Sequence, residues 1–414
     1  MHSLRNRCIV TTALASALTA TLTLTLAAAP AAADWPNFRG PEYDGIRHDA
    51  NIQQQWDKPI PLVWDREIGS AFSSFAVVGD RLYTCGTKDK HQVLVCLNAA
   101  TGAVIWENPF GPEYRDEHGD GARATPTVAD GRVYILGAHG RLLCADAATG
   151  KDVWSKQFNH VPQWGYSGSV LVEGDLAIST AGNEQGTLVA FDRRTGEKRW
   201  QCGEDPPGYA TPYPFTFNNH RYVVGFSGNS AIIADLATGA LAWRQEWKTS
   251  WDVNAAAPIF HDGYLFLTSG YHTGCGLYKL STSGDGLAAE EIWKSQVLLN
   301  KFQSCILHDG ALYASDQKSL VCVDFLTGKE HWRIRRMPDA SPENGTLVLA
   351  DGALIMLTED GHLLIAPAST AGFEPVTSAE ILSGRCWTVP VLDAGRLYAR
   401  NLERMACFKL SAGE

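Results

Sequence analysis

The nine residues from Asp146 to Trp154, DAATGKDVW, return four more times along the chain. Asn98 to Trp106 reads NAATGAVIW, Asp192 to Trp200 reads DRRTGEKRW, Asp235 to Trp243 reads DLATGALAW, and Asp324 to Trp332 reads DFLTGKEHW. Each copy follows an apolar run such as Val93-Leu94-Val95-Cys96 or Arg141-Leu142-Leu143-Cys144, which has the character of a strand. The Asp or Asn side chain can accept bonds from backbone amides two residues on and so open a turn. The Gly supplies the positive φ that a tight turn needs. A second strand then runs to the Trp, a large apolar anchor at a fixed place. Each copy is therefore a hairpin.

The closing residues fall at Trp64, Trp106, Trp154, Trp200, Trp243, Trp293, Trp332 and Leu382, at gaps of 39 to 50 residues. That period is the length of a four-stranded propeller blade, and it assigns the seven tryptophans to contacts between blades. An Asp-Gly turn joins the first strand to the second in four repeats, as at Asp130-Gly131 and Asp309-Gly310, and related turns such as Gly79-Asp80 and Ala394-Gly395 align with it in others. Two repeats, through Ser281 to Trp293 and through Ser369 to Leu382, lack the clean closing unit and are expected to carry longer connections. The segment from Thr388 to Leu410 supplies three strands without a Trp, and the segment around Trp64 supplies one strand with a Trp. Together they complete a blade and remove the open sheet edges. No stretch of ten or more residues between 60 and 410 has a helical period. The expected fold is all-β, an eight-bladed β-propeller closed by strands from both termini.

Residues 1–33 have the form of a secretory signal: Arg5 and Arg7, then an apolar stretch from Ile9 to Ala29, then Ala31-Ala32-Ala33. Cys8 lies at the wrong end to carry a lipoprotein anchor, and no later segment is apolar enough to span a bilayer. These features predict a periplasmic or secreted monomer. An arm over residues 34–58, opening Trp35-Pro36-Asn37-Phe38-Arg39-Gly40-Pro41, is expected to pack on a propeller over 59–414, because exposed aromatics are costly. Without the leader the chain holds 33 basic and 45 acidic residues, a net charge of −12. That balance argues against nucleic-acid and anionic-lipid partners, which need clustered Lys and Arg.

Nine cysteines follow the leader. Cys96, Cys144, Cys322 and Cys407 occupy one repeat position that Ala190, Ala234 and Ala366 hold elsewhere, so the position calls for a small buried residue. Cys85, Cys202, Cys275, Cys305 and Cys386 lack that explanation, and one or two bridges among them are compatible with an exported chain.

The five D/N-x-x-T-G-x-x-x-W units resemble those of the pyrroloquinoline-quinone-like repeat propellers, over residues 61–410. That family includes eight-bladed quinoprotein dehydrogenases and the outer-membrane assembly propeller BamB. The WPNFRGP element resembles exported propellers common in Planctomycetes. The dehydrogenases carry two adjacent cysteines against the cofactor and a Glu/Asn/Asp calcium set; this chain has no consecutive cysteines, no C-x-x-C-H haem motif and no residue-by-residue match to the calcium set.

Any binding site should lie at one mouth of the channel, in the loops leading into the first strand of each blade, where the copies diverge. Those loops hold Glu117, His118 and Arg123; His160, Trp164 and Tyr166; Tyr209; Trp251, Asp252 and Asn254; Lys301 and Gln303; Asn344; and Arg385 and Trp387. Aromatic platforms beside charges and amides suit a polar, flat or sugar-like ligand. Asp116 to Gly121 has part of a calcium-loop pattern, but its twelfth position is Thr127 rather than Glu. No zinc spacing, nucleophile elbow or phosphate loop occurs, so no catalytic residue and no metal ligand is assigned. The sequence therefore favours a non-catalytic binding or scaffold module for a protein or glycan partner, with no cofactor. The alternative is a quinoprotein-type oxidoreductase holding pyrroloquinoline quinone (PQQ) with calcium at the mouth.

Overall fold

The computed structural model describes residues 34–284 and 286–411. The signal-like segment 1–33 lies outside the described residues. The chain forms eight antiparallel sheets of four strands, one of them extended to five by a short strand from the arm. Blades 1 to 7 follow in chain order from Ala76. Blade 2 is typical, with strands Thr127–Ala129, Arg132–Leu136, Arg141–Asp146 and Asp152–Gln157. Blade 8 comprises Val391–Asp393, Arg396–Arg400 and Arg404–Lys409, and its outermost strand is Leu62–Glu67 from the other end of the chain, paired Trp64 to Cys407. The ring closes as the sequence predicts.

The middle strands are apolar on both faces because each blade is packed between two neighbours. Val133, Tyr134, Ile135 and Leu136 are all fully buried. The outermost strand alternates instead, because only one edge of each blade meets solvent.

The repeated unit proves to be the contact between blades. In the turn itself, Asp146 Oδ1 accepts the backbone N–H and the hydroxyl of Thr149 at 2.8 and 2.7 Å, and the other four copies repeat this arrangement. The Trp that closes one blade lies across the turn of the next. Trp64, Trp106, Trp154, Trp200, Trp293 and Trp332 each donate Nε1–H to a turn carbonyl of the following blade at 2.9 to 3.1 Å. The turn glycines Gly102, Gly150, Gly196, Gly239 and Gly328 have φ of 66 to 74°, and a Cβ on any of them would sit 2.5 to 2.7 Å from the preceding blade's indole. Glycine is required twice over, for the left-handed backbone and for the ring resting on its bare Cα.

Trp243 differs. Blade 5 has no such turn; its third and fourth strands, Gly274–Ser283 and Gly286–Ser295, form a long hairpin. Trp243 packs against Tyr278 at 5.9 Å, and its indole N–H makes no hydrogen bond among the described residues. The longer connection expected here is thus mostly extended ladder.

The arm crosses the ends of the inner strands away from the mouth. Trp35 pairs with Val77 of blade 1 at 2.8 Å in both directions, and Pro36 accepts Val128 N–H of blade 2. Arg39, fully enclosed, donates to Cys305 O of blade 6 at 2.7 Å, and Ile46–Arg47 runs parallel to Leu349–Ala350 of blade 7. The far end of the channel is thereby covered. Arg400 closes the seam between blades 8 and 1, donating to carbonyls of Gly69, Ser73 and Cys85 at 2.8 to 3.2 Å; burial without a carboxylate holds its pKa down to about 10.

All nine described cysteines are buried free thiols. The bridges entertained for Cys85, Cys202, Cys275, Cys305 and Cys386 do not form. Their side chains fill core positions on separate blades, and burial raises the pKa of each.

Candidate ligand site at the channel mouth

Each inner strand begins at the mouth and ends at the Asp-Gly turn, so the second strand returns to the mouth. The mouth is therefore built from two sets of loops, those before the first strand and those between the second and third. Together they enclose a cavity of about 210 Å³.

Seven of the residues expected at the mouth line it: His118, Arg123, Trp164, Tyr209, Lys301, Gln303 and Trp387. His118 sits between Trp164 and Trp387, with ring centroids 6.3 Å from each. Trp387 stacks on Phe72 at 5.7 Å with 19° between planes, and Phe302 packs against it at 4.9 Å. Phe38, from the arm, completes the floor. The channel is therefore a blind, aromatic-walled pocket.

Arg123 organises the wall. Its guanidinium lies 4.3 Å from the ring centroid of Tyr114 and donates to Trp164 O at 2.8 Å and Gly119 O at 3.0 Å. It also pairs with Asp116 at 3.6 Å, and burial lowers its pKa. Lys301 is different. Its ammonium lies 5.8 Å from the ring centroids of Tyr271 and Phe302, and no carboxylate among the described residues comes within 4.0 Å. Partial burial holds its pKa below the ordinary lysine value.

The other eight expected residues stand elsewhere. Arg385 and Trp251 form the rim: Arg385 covers Trp387 at 4.5 Å and donates to His118 O, and Trp251, 63% exposed, meets Trp164 edge-on at 6.4 Å. Glu117 and Asp252 face solvent. His160 lies outside the cavity, bonded to Glu184 at 2.7 Å. Tyr166 and Asn254 are buried supports: Tyr166 donates to Ala181 O at 2.6 Å, and Asn254 donates to Ser227 O at 2.7 Å and Trp247 O at 3.1 Å. Asn344 donates to Glu359 at 3.0 Å behind the wall.

Sequence reading missed Phe72, Tyr271 and Glu359. Phe72 precedes the first strand of blade 1, so the rule that found the others would have found it. Tyr271 and Glu359 lie between second and third strands, a set of loops the same strand order sends to the mouth. A belt of hydroxyls also went unread. At the start of the inner strands, Thr125, Ser169 and Thr211 accept the backbone N–H groups of Ser74, Thr125 and Ser169 on preceding blades, at 2.9 to 3.2 Å.

Toward the quinone and calcium that the resemblance of the repeats implies, the mouth offers unequal chemistry. A flat quinone would meet aromatic faces and the Lys301 cation. Calcium takes roughly six to eight oxygen ligands, mostly carboxylates and carbonyls. Asp116 already accepts His118 N–H at 2.8 Å and pairs with Arg123, and Glu359 already accepts Trp387 Nε1–H and Asn344 Nδ2–H, each at 3.0 Å. The carboxylate set does not fit the metal.

No curated protein matches the chain significantly. Among solved structures, BamB from Moraxella catarrhalis is similar at 16% identity and TM-score 0.59, covering 86% of this chain and 99% of that one. The quinohemoprotein alcohol dehydrogenase from Comamonas testosteroni is similar at 14% identity and TM-score 0.64, covering 92% and 81%. The computationally designed Ika8 protein is similar at 11% identity and TM-score 0.61, covering 84% and 99%. Identities this low show the shared fold alone. The profile of the family described as outer membrane protein assembly factor BamB matches residues 53–203, 90–333 and 228–414. With that profile spanning the whole ring, the chain belongs to the PQQ-like repeat β-propeller family of BamB.

Proposed function

We propose that this protein is an exported, monomeric, non-catalytic binding module that receives a protein or glycan partner at the channel mouth. One observation carries the reading: the mouth is a blind aromatic cavity whose carboxylates are already held by Arg123, Trp387 and Asn344. Such a cavity offers faces and donors to a ligand, while its nearby carboxylates, Asp116 and Glu359, are each tied through one oxygen to donors of the protein. The far end of the ring, covered by the arm, is left as a rigid support. The signal-like leader and the acidic surface agree with export and with a partner other than nucleic acid.

The test is thermal unfolding of the purified protein with a panel of glycans and, separately, with PQQ and Ca²⁺. A specific ligand raises the midpoint by mass action. A shift with a glycan, abolished in Trp387→Ala, supports the module. A shift with PQQ accompanied by reduction of an acceptor dye would replace it with the quinoprotein reading.

A further inference from the structure

We propose that the cavity takes a single sugar ring bearing one negative charge, a uronic-acid residue at the end of an acidic polysaccharide. This rests on the reading of the mouth as a binding site and specifies its ligand.

The polar lining is rich in unused donors and poor in unused acceptors. Lys301 brings an ammonium with no carboxylate within 4.0 Å among the described residues, and Glu359 acts on it only from farther away. The hydroxyls of Thr125, Ser169 and Thr211, all in the lining, accept inter-blade N–H bonds and donate to no described protein atom, so each keeps a hydrogen for a ligand. The two nearby carboxylates, Asp116 and Glu359, are engaged with donors of the protein itself. Glu117 and Asp252 are acidic but lie outside the lining, facing solvent. A half-buried lysine with free hydroxyls opposite it calls for an acceptor-rich ligand that restores the missing charge. Lys301 and the rim's Arg385, neither with a carboxylate within 4.0 Å among the described residues, face the single charge of Glu359, and this excess of one positive charge calls for one negative charge.

Size and shape narrow the class. A protein cavity of ~150 Å³ holds one benzene ring. The cavity here, at about 210 Å³, has room for one six-membered ring with its substituents. Trp387, Phe72 and Phe302 pack on one another and present the apolar ring surface left in the lining to the C–H surface of a sugar, while the open mouth lets the rest of a polymer leave. A net charge of −12 on the chain after its leader makes this local cation a selective feature rather than part of a basic surface.

The experiment is titration calorimetry of the purified protein with trigalacturonate, neutral trigalactose and a sulfated galactose oligosaccharide. Trigalacturonate is expected to bind at least about tenfold more tightly than trigalactose, and more weakly as salt is raised. Lys301→Met should lose about tenfold and Lys301→Arg should recover most of it, with unchanged unfolding midpoints. Equal binding of the acidic and neutral sugars, or an unaffected Lys301→Met, overturns the inference. If both sugars bind equally and both are lost in Trp387→Ala, the charge assignment fails while the mouth stands. Binding of the sulfated sugar alone keeps the anion and overturns the carboxylate. If no sugar binds, the inference fails outright, and the mouth is then judged by Trp387→Ala against a protein partner.

Discussion

If the repeated unit is an interface, then Trp200 and the turn of the next blade should be energetically coupled. Trp200 is 8% exposed, donates to Leu236 O at 3.1 Å, and lies with its ring 2.6 Å from where a Cβ on Gly239 would stand. Trp200→Ala should cost about 3–5 kcal/mol for the lost packing and the unpaired carbonyl. Gly239→Ala should cost about 1–2 kcal/mol for a side chain at φ +74°, and a further 1–3 kcal/mol for overlap with the indole. In the double variant the overlap has nothing to meet, so only the backbone part remains. The double-mutant cycle should therefore show a coupling of about 1–3 kcal/mol. Denaturant midpoints of the four proteins, at constant m, give the number. Costs that add to within about 0.5 kcal/mol would refute the interface.

The exception is as informative as the rule. Trp243→Phe, which removes an N–H with no partner among the described residues, should cost less than about 0.5 kcal/mol, whereas Trp200→Phe should cost about 1 kcal/mol more; equal costs would contradict the hydrogen-bond assignment. Asp393, buried beside Arg47 at 3.1 Å, has its carboxyl pushed up to about 6 by burial, against the pull of the guanidinium. A raised folded pKa means that its stabilising contribution is present below about pH 4 and is lost as pH rises through 6. The stability of wild type relative to Asp393→Asn should fall across that window, and a flat difference would exclude the burial effect. In denaturant nine thiols should react per chain that has lost its leader, and few should react natively; a count of seven or fewer would establish a disulfide.

The ring was legible because its causes are local. An Asx turn, a glycine and a Trp at fixed spacing need no knowledge of what lies across the molecule, and the three strands at one end and one at the other that share the closing blade follow from the same count. The role of the glycine was only half legible. Its turn could be read from the sequence, but the indole resting on it belongs to another blade. The cavity was less legible for the same reason. Trp164, Lys301 and Trp387 followed from strand order, but Tyr166 and Asn254 sit in the same loops and turn inward to brace backbone carbonyls. Sequence position within a loop does not distinguish a side chain that faces the channel from one that supports it. The arm was legible as a packed element from its aromatics, whereas its path across the channel depends on bonds to blades 1, 2, 6 and 7.

Repeat residues build the ring, and the proposed function places partner binding in the divergent residues at the mouth. The most direct test compares Trp387→Ala in the cavity with Trp332→Phe at a blade contact, measuring ligand affinity and unfolding midpoint for both. The account predicts that Trp387→Ala loses at least about tenfold in affinity, together with the fall in midpoint that its lost contacts with Phe72, Phe302 and Glu359 bring. It predicts that Trp332→Phe keeps full affinity with a lowered midpoint. Full affinity in Trp387→Ala, or lost affinity in Trp332→Phe at an unchanged midpoint, would contradict it.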